Sequence, residues 1–188
     1  MKIKISPLTL FYFAACLLIS HRLSVVAVCT AVLMHELTHL ILLWLMGGSA
    51  TVLTVTPIGL TIERNGLLNY QKEIWLSLSA PLFNLLLAGV FAFLSMDRIT
   101  LEINLGLGLV NLLPICPLDG GKALSALLSH CGSADWAQRI MGIISAVFML
   151  ILWLFSIAIC IVLNGSLTPL LLVSGLFFSS IEFDRRYK

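Results

Sequence analysis

The sequence predicts an all-α polytopic membrane protein of about six transmembrane helices. A short membrane-associated β segment is expected between the second and third spans. Three observations carry this reading. The chain has 188 residues, of which 60% are hydrophobic and only 11% charged, whereas a soluble domain carries about 25% charged residues. Its mean hydropathy of +1.06 means more apolar surface than a soluble core of this length can hide. Its apolar runs are near the roughly 20 residues that cross a bilayer, and short polar turns divide them. No stretch is long or polar enough for a separate soluble domain. Residues 1–188 therefore read as one membrane domain, with a core at 23–128 and accessory spans at 5–20, 137–163 and 167–180.

The elements follow in order. Met1-Lys2-Ile3-Lys4 before an apolar run has the outline of a signal peptide, and Ala14-Ala15-Cys16 that of a lipoprotein cleavage site. Leu17-Leu18-Ile19 continues the apolar run past the cysteine, and no polar mature region follows. Residues 5–20 are thus read as an uncleaved first span. His21-Arg22 makes a tight turn, and residues 23–46 form the second span, which Gly47-Gly48 ends. Residues 50–63 change character: they are rich in Thr and Val, with Pro57 and Gly59 near the middle. Such composition favours an extended strand or hairpin. Arg64-Asn65-Gly66 turns the chain into the third span, residues 73–95, which contains Pro81 and Asn84. Beyond Asp97-Arg98 the fourth span starts near residue 101 and reaches Asn111. It breaks at Pro114, Pro117 and Gly120-Gly121, then resumes through residue 128. A polar loop at 130–136 precedes the fifth span at 137–163. Asn164-Gly165 turns into the sixth at 167–180, and a charged tail closes the chain.

Charge sets the orientation. With the N-terminus in the cytoplasm, Lys2, Lys4, Arg64, Lys72, Lys122, Arg139, Arg185, Arg186 and Lys188 lie inside, against only Arg22 and Arg98 outside. This bias places both termini in the cytoplasm, in what reads as a bacterial cell membrane. The net charge of +2 comes without a basic stripe interleaved with aromatics, so nucleic-acid binding is excluded. The five cysteines are scattered, with no C-x-x-C pair. Neither a zinc ribbon nor a disulfide framework is indicated.

The chemistry centres on His35-Glu36-Leu37-Thr38-His39, which sits inside the second span. A charged residue at the centre of such a helix costs roughly 2.5–3.5 kcal/mol on insertion scales. Residues four apart share a helix face, so His35 and His39 can bind one metal. Glu36 projects beside that site, off the ligand axis, where it suits a general base acting on water. Zinc is the expected ion, one per chain, because its tetrahedral site takes imidazole and carboxylate and keeps one position open. Asp119 is the best candidate for a third ligand. It lies in the broken fourth span beside two glycines that permit close backbone approach. Glu63, Glu73, Asp97 and Glu102 sit at turns or span ends and are poorer candidates. Two other readings stay open here. Intramembrane His, Glu and Asp can form a proton or metal relay in a transporter or channel. Asp119 can cap the helix that begins at Gly120. His21 and His130 read as solvated turn residues, and Cys116 as a packing residue.

Three patterns then coincide. His35–His39 lies in a span, Ser79-Ala80-Pro81-Leu82-Phe83-Asn84 approximates G-P-x-x-N, and Asn111-Leu112-Leu113-Pro114-Ile115-Cys116-Pro117-Leu118-Asp119-Gly120-Gly121 fits N-x-x-P-x-x-P-x-D-G-G. Together they resemble the site-2 protease family of intramembrane zinc metalloproteases, over about residues 23–128. The resemblance implies His35, His39 and Asp119 as zinc ligands and Glu36 as catalytic base. It implies Asn111 near the active site, placed to hold a substrate carbonyl or oxyanion or to join helices. Ala80 stands where the family motif often has Gly. The six-span layout and Asn111–Lys122 look most like the sporulation type, which processes a membrane-associated pro-sigma factor. Neither the CBS domain of that type nor the PDZ domain of the stress-response branch is seen in the sequence.

The expected activity is hydrolysis of a peptide bond in or near a substrate's transmembrane segment, the substrate being a pro-sigma or anti-sigma factor or another membrane-associated protein. An inhibitory membrane partner belongs to the same expectation. A helix must be unwound before it is cut, and its released backbone groups then need partners. An extended segment can supply them edge to edge. The candidate substrate-contacting residues are Thr51, Val52, Leu53, Thr54, Val55, Thr56 and Asn84, with Asn84 also expected to pack the core spans.

Overall fold

The computed structural model describes residues 2–5, 22–56, 59–64, 68–162, 170, 173–177 and 180. Its first element is a strand, β1 (Lys2–Ile5). Helix α1 (Arg22–Leu45) carries the His35–His39 motif. A hairpin of β2 (Ala50–Thr56) and β3 (Gly59–Arg64) follows. Four more helices complete the described chain: α2 (Tyr70–Phe93), α3 (Arg98–Asn111), α4 (Asp119–Cys131) and α5 (Ala134–Val162). Residues 173–177 are also helical.

Helix ends follow the sequence chemistry. At the end of α1, Gly47 adopts φ +79, a conformation that glycine takes without a Cβ penalty. Gly48 N–H donates to Leu43 O and Gly47 N–H to Trp44 O, both at 2.9 Å. This pair of bonds is a Schellman motif and satisfies carbonyls that the helix leaves open. Lys72 Nζ donates to Met46 O, just past the helix end, at 3.3 Å. Asp97 caps α3, its Oδ2 accepting from Thr100 N–H at 2.8 Å and Thr100 Oγ1 at 2.6 Å.

Among the described residues, three helices are long and apolar enough to cross a membrane: residues 25–45 of α1, all of α2 and all of α5. Their outward faces present large apolar side chains, including Trp44, Trp75, Phe93, Leu154 and Phe155. The interior holds polar ones: His35, Glu36, His39, Asn84, Asn104, Asn111 and Asp119 are buried. That inverted distribution suits a protein whose solvent is lipid. Helix α2 is central and packs against α1, α3 and α4, while α4 also meets α5. Gly108 marks the tightest crossing of α2 and α3. A Cβ there would lie 2.9 Å from the Leu85 side chain and 3.0 Å from Pro81 O.

Several expectations need correction. The fourth span is two short helices, α3 of 14 residues and α4 of 13. At 1.5 Å per residue each reaches only about 20 Å, short of the roughly 30 Å hydrocarbon core. The sheet also has one strand more than the expected hairpin. Ile5, placed in the first span by the sequence, belongs to β1, which pairs in parallel with β2 from Lys2↔Val52 to Ile5↔Val55. Residues 6–20 of the expected first span lie outside the described residues, as does half of 167–180. The sheet order is β1-β2-β3, with β2 and β3 antiparallel and a bulge between Ala50 and Val52. Strand β2 is therefore central, and both of its edges are already hydrogen bonded. The Val52–Val55 part of the edge expected to pair with substrate is therefore occupied by β1. Among the described residues, the open edges belong to β1 and β3, and β3 is the strand that meets α1.

Candidate metal centre

The site is built from α1, α2 and the start of α4. His35 and His39 are one helical turn apart, their rings edge-on with centroids 5.1 Å apart. Asp119, the first residue of α4, comes eighty residues after His39 and places Oδ2 3.0 Å from His35 Nε2 and 3.1 Å from His39 Nε2. All three side chains are buried, and one ligand atom from each lies within 4.8 Å of the others.

Asp119 reaches this position because the loop before it folds tightly over the start of α4. A Cβ on Gly120 would overlap the Leu112 carbonyl, and one on Gly121 the Ile115 carbonyl. Only glycine admits the backbone there. The loop is anchored from the far side. Ile115 and Leu118 pack with Met149 of α5 and Leu176 in one buried cluster. Cys116 N–H donates to Ser145 Oγ at 3.1 Å. Asp119 is not the cap of α4, since Leu118 occupies that position.

The hydrogen bonds around the rings decide what the site can hold. A backbone carbonyl only accepts, so the 2.9 Å contact of His39 Nδ1 with Leu76 O puts a proton on Nδ1. His35 Nδ1–H likewise donates to Asn84 Oδ1 at 2.8 Å. In a neutral ring this leaves Nε2 with a lone pair. Both Nε2 lone pairs then face a carboxylate oxygen. Three acceptors converging on one point repel unless a cation lies among them. A proton on one ring relieves one contact, whereas a metal ion relieves both. Two imidazoles and a carboxylate are a zinc-type donor set, so these residues fit a metal. Lys122 Nζ donates to the other oxygen, Asp119 Oδ1, at 3.0 Å. It leaves Oδ2 as the oxygen directed at the histidines.

The structure brings together His35, His39 and Asp119, with Glu36 buried on the same turn of α1. It treats the other named residues differently. Asn111 is buried at the end of α3 and donates from Nδ2 to Leu107 O of its own helix at 3.0 Å. A second Nδ2 proton remains for another acceptor. Asn84 is completely buried and its Oδ1 is held by His35, so it supports the ring. Sequence reasoning missed Lys122, Asn104 and the Leu76 carbonyl. Lys122 had a signal, being a cation three residues from Asp119 on an apolar helix. The carbonyl had none, although Pro81 removes the N–H due to Ser77 O and so distorts the turn beside Leu76. Outside the centre, His130 is exposed and stacks obliquely on Tyr70, with centroids 5.9 Å apart.

Comparison with known proteins agrees with this geometry. Residues 96–155 match the model of Peptidase family M50. Stage IV sporulation protein FB of Bacillus subtilis (strain 168) is 32% identical over 162 residues, covering 81% of this chain and 56% of that protein. The chain thus spans little more than half the length of this curated relative. Among solved structures, the site-2 protease from Methanocaldococcus jannaschii aligns with a TM-score of 0.73 at 19% identity, over 96% of this chain and 89% of that one. That likeness is one of fold. Taken with the His35–His39 motif and the aspartate that joins it, these matches mean that the chain belongs to the site-2 protease family of membrane metalloproteases, peptidase family M50.

Proposed function

We propose that this chain is an intramembrane zinc endopeptidase that cuts a peptide bond in or near a transmembrane segment of its substrate. The convergence of His35 Nε2, His39 Nε2 and Asp119 Oδ2, with both Nδ1 atoms tied to acceptors, carries the reading. These three side chains would hold one zinc ion. When bound, zinc supplies a Lewis acid for the scissile carbonyl and lowers the pKa of water to about 7.

The chain's own residues supply the rest. Glu36 takes a proton from the attacking water as its oxygen adds to the carbonyl carbon. It returns that proton to the amine nitrogen as the C–N bond breaks, so one carboxylate serves as base and then acid. The second Nδ2 proton of Asn111 is the donor for the developing oxyanion. The open edge of β3, beside α1, pairs with the unwound substrate and satisfies the backbone groups that unwinding releases. Thr61→Pro and Ile62→Pro test this edge, because neighbouring N–H groups on a strand point to opposite edges. One of the two should lower cleavage of a helical substrate while zinc content stays at one per chain. Full cleavage by both variants would remove β3 from the account.

The six-span arrangement, with both termini cytoplasmic and the centre in the cytoplasmic half of the bilayer, belongs to this proposal. It rests on the bias of Lys and Arg. The proposed substrate is a membrane-associated protein such as a pro-sigma factor, in keeping with the sporulation-type resemblance of Asn111–Lys122.

The decisive comparison is wild type with Glu36→Gln. A protease keeps its zinc and loses cleavage in the variant. A transporter using the same residues as a relay cleaves in neither form. Undiminished cleavage by Glu36→Gln would sink the assignment of Glu36.

A further inference from the structure

We propose that Asn104 on α3 is a positioning residue for the metal centre and acts on His35 through Asn84. This rests on the reading of His35 as a metal ligand. Asn104 belongs to none of the motifs in the sequence, yet it is 2% exposed and Asn84 is 0% exposed. The two amides and the ring form one directed chain. Asn104 Nδ2 donates to Thr100 O at 2.9 Å. Asn84 Nδ2 donates to Asn104 Oδ1 at 2.9 Å. His35 Nδ1–H donates to Asn84 Oδ1 at 2.8 Å.

An isolated amide can present either its oxygen or its nitrogen, and an isolated neutral imidazole can carry its proton on either nitrogen. Here the choice is made at one end. Thr100 O is a backbone carbonyl and can only accept. It therefore fixes Asn104 with nitrogen toward it and oxygen toward Asn84. Asn84 must then turn its nitrogen to Asn104 and its oxygen to His35. His35 must carry its proton on Nδ1, which leaves the Nε2 lone pair for a metal. His39 reaches the same tautomer by a direct bond to Leu76 O. Among the described residues, His35 Nδ1 meets Asn84 Oδ1 and no such carbonyl, and so depends on the relay.

The packing of the two helices supports this geometry. Gly108, one turn beyond Asn104, lets α3 close on α2 at Pro81 and Leu85, the two residues that bracket Asn84. Asp97 holds the amide and hydroxyl of Thr100, so the residue whose carbonyl anchors the relay is itself fixed at the start of α3. An amide pair could join two membrane helices and do nothing more. Mere joining, however, would not require the pair to end on a ring nitrogen of His35.

The test is nitrogen NMR on zinc-free, histidine-labelled protein at alkaline pH, combined with zinc titration against a chelator. The chain has only four histidines, so His35 can be assigned by substitution. In wild type, His35 should carry its proton on Nδ1. In Asn104→Leu, Asn84 is released and the proton should redistribute toward Nε2. Zinc affinity should then fall about 10–100-fold, as is usual when a group supporting a ligand is lost. Cleavage by this variant should recover as zinc is added. Asn104→Asp still accepts from Asn84 Nδ2 and should keep the Nδ1 proton and wild-type zinc affinity.

A wild-type His35 protonated on Nε2 overturns the proposal, and that result does not depend on either variant folding. Two variants with equal losses of zinc affinity and an unchanged His35 tautomer would reduce Asn104 to interhelical packing. Wild type that carries the Nδ1 proton but binds no zinc would sink the proposed function and leave the relay standing.

Discussion

Gly121→Ala is the substitution whose effect the structure determines most fully. In an ordinary helix interior this change stabilises by about 1 kcal/mol, because alanine is the better helix former. Here the sign should reverse. The added Cβ would overlap the Ile115 carbonyl and lie 2.7 Å from Cys116 N, where ordinary contact begins at 3.4 Å. Relief requires a backbone displacement of at least about 0.7 Å, of the kind that costs roughly 1–3 kcal/mol in a packed interior. The loop has little freedom to give way. Ile115 and Leu118 are locked against Met149 and Leu176, and Cys116 N–H is held by Ser145. Helix α4 must shift instead and carry Asp119 with it. A misplacement near 1 Å at a catalytic centre costs about 100-fold in rate. Gly89→Ala and Gly142→Ala are the controls, since a Cβ at either position meets nothing within 4 Å. Thermal unfolding in detergent, zinc content and cleavage rate should be measured on all three. Gly121→Ala should melt lower, bind zinc more weakly and cleave about 100-fold more slowly, while both controls match or exceed wild-type stability. A Gly121→Ala protein that behaves like its controls would refute the account of how Asp119 is positioned.

Other outcomes follow from single contacts. Lys122→Met removes the cation 3.0 Å from Asp119 Oδ1, and its side chain is 35% exposed. The loss should be about 1–3 kcal/mol, below the 3–5 of a fully buried broken pair. It should be larger in the zinc-free protein, where Asp119 has no metal to face; equal melting shifts with and without zinc would contradict this. At the start of α3, the Thr100 hydroxyl and then the Thr100 N–H hold the Asp97 carboxyl below its ordinary value of 3.8. A folded-state pKa below the unfolded one contributes stability above the unfolded pKa, and this is lost as pH falls through the folded pKa. Asp97→Asn should therefore lower stability in the neutral region, leave the acid end little changed, and so flatten the acid limb of the stability curve. An acid limb identical to wild type would show that this cap carries no pH-dependent stability.

Much of the site was legible because its chemistry repeats at fixed spacing. Two histidines four apart on an apolar helix define a shared face, and a carboxylate beside two glycines in a proline-broken span is conspicuous in lipid. The break between α3 and α4 was legible for the same reason, as Pro114, Pro117 and the glycines all interrupt a helix. The sheet order was not. Lys2–Ile5 is four residues long, and its parallel partner lies nearly fifty residues away. No local pattern announces a parallel pairing of that kind. Without β1 the edge of β2 reads as open, although β1 pairs with it along Val52–Val55. The partners of Asn84 were not legible for a different reason. A buried amide in a spanning helix has many potential partners, and only the fold selects His35 and Asn104. The Leu76 carbonyl was wholly invisible, since every residue has one.

His35, His39 and Asp119 are proposed to hold one zinc ion. X-ray absorption spectroscopy at the zinc edge, on purified zinc-loaded protein, tests it most directly. The spectrum should show one zinc per chain, with two imidazole nitrogens at about 2.0–2.1 Å and a carboxylate oxygen at about 2.0–2.2 Å. Asp119→Ala should remove the carboxylate component and weaken binding. A sulfur neighbour at about 2.3 Å, or a zinc environment unchanged in His35→Ala, would contradict it.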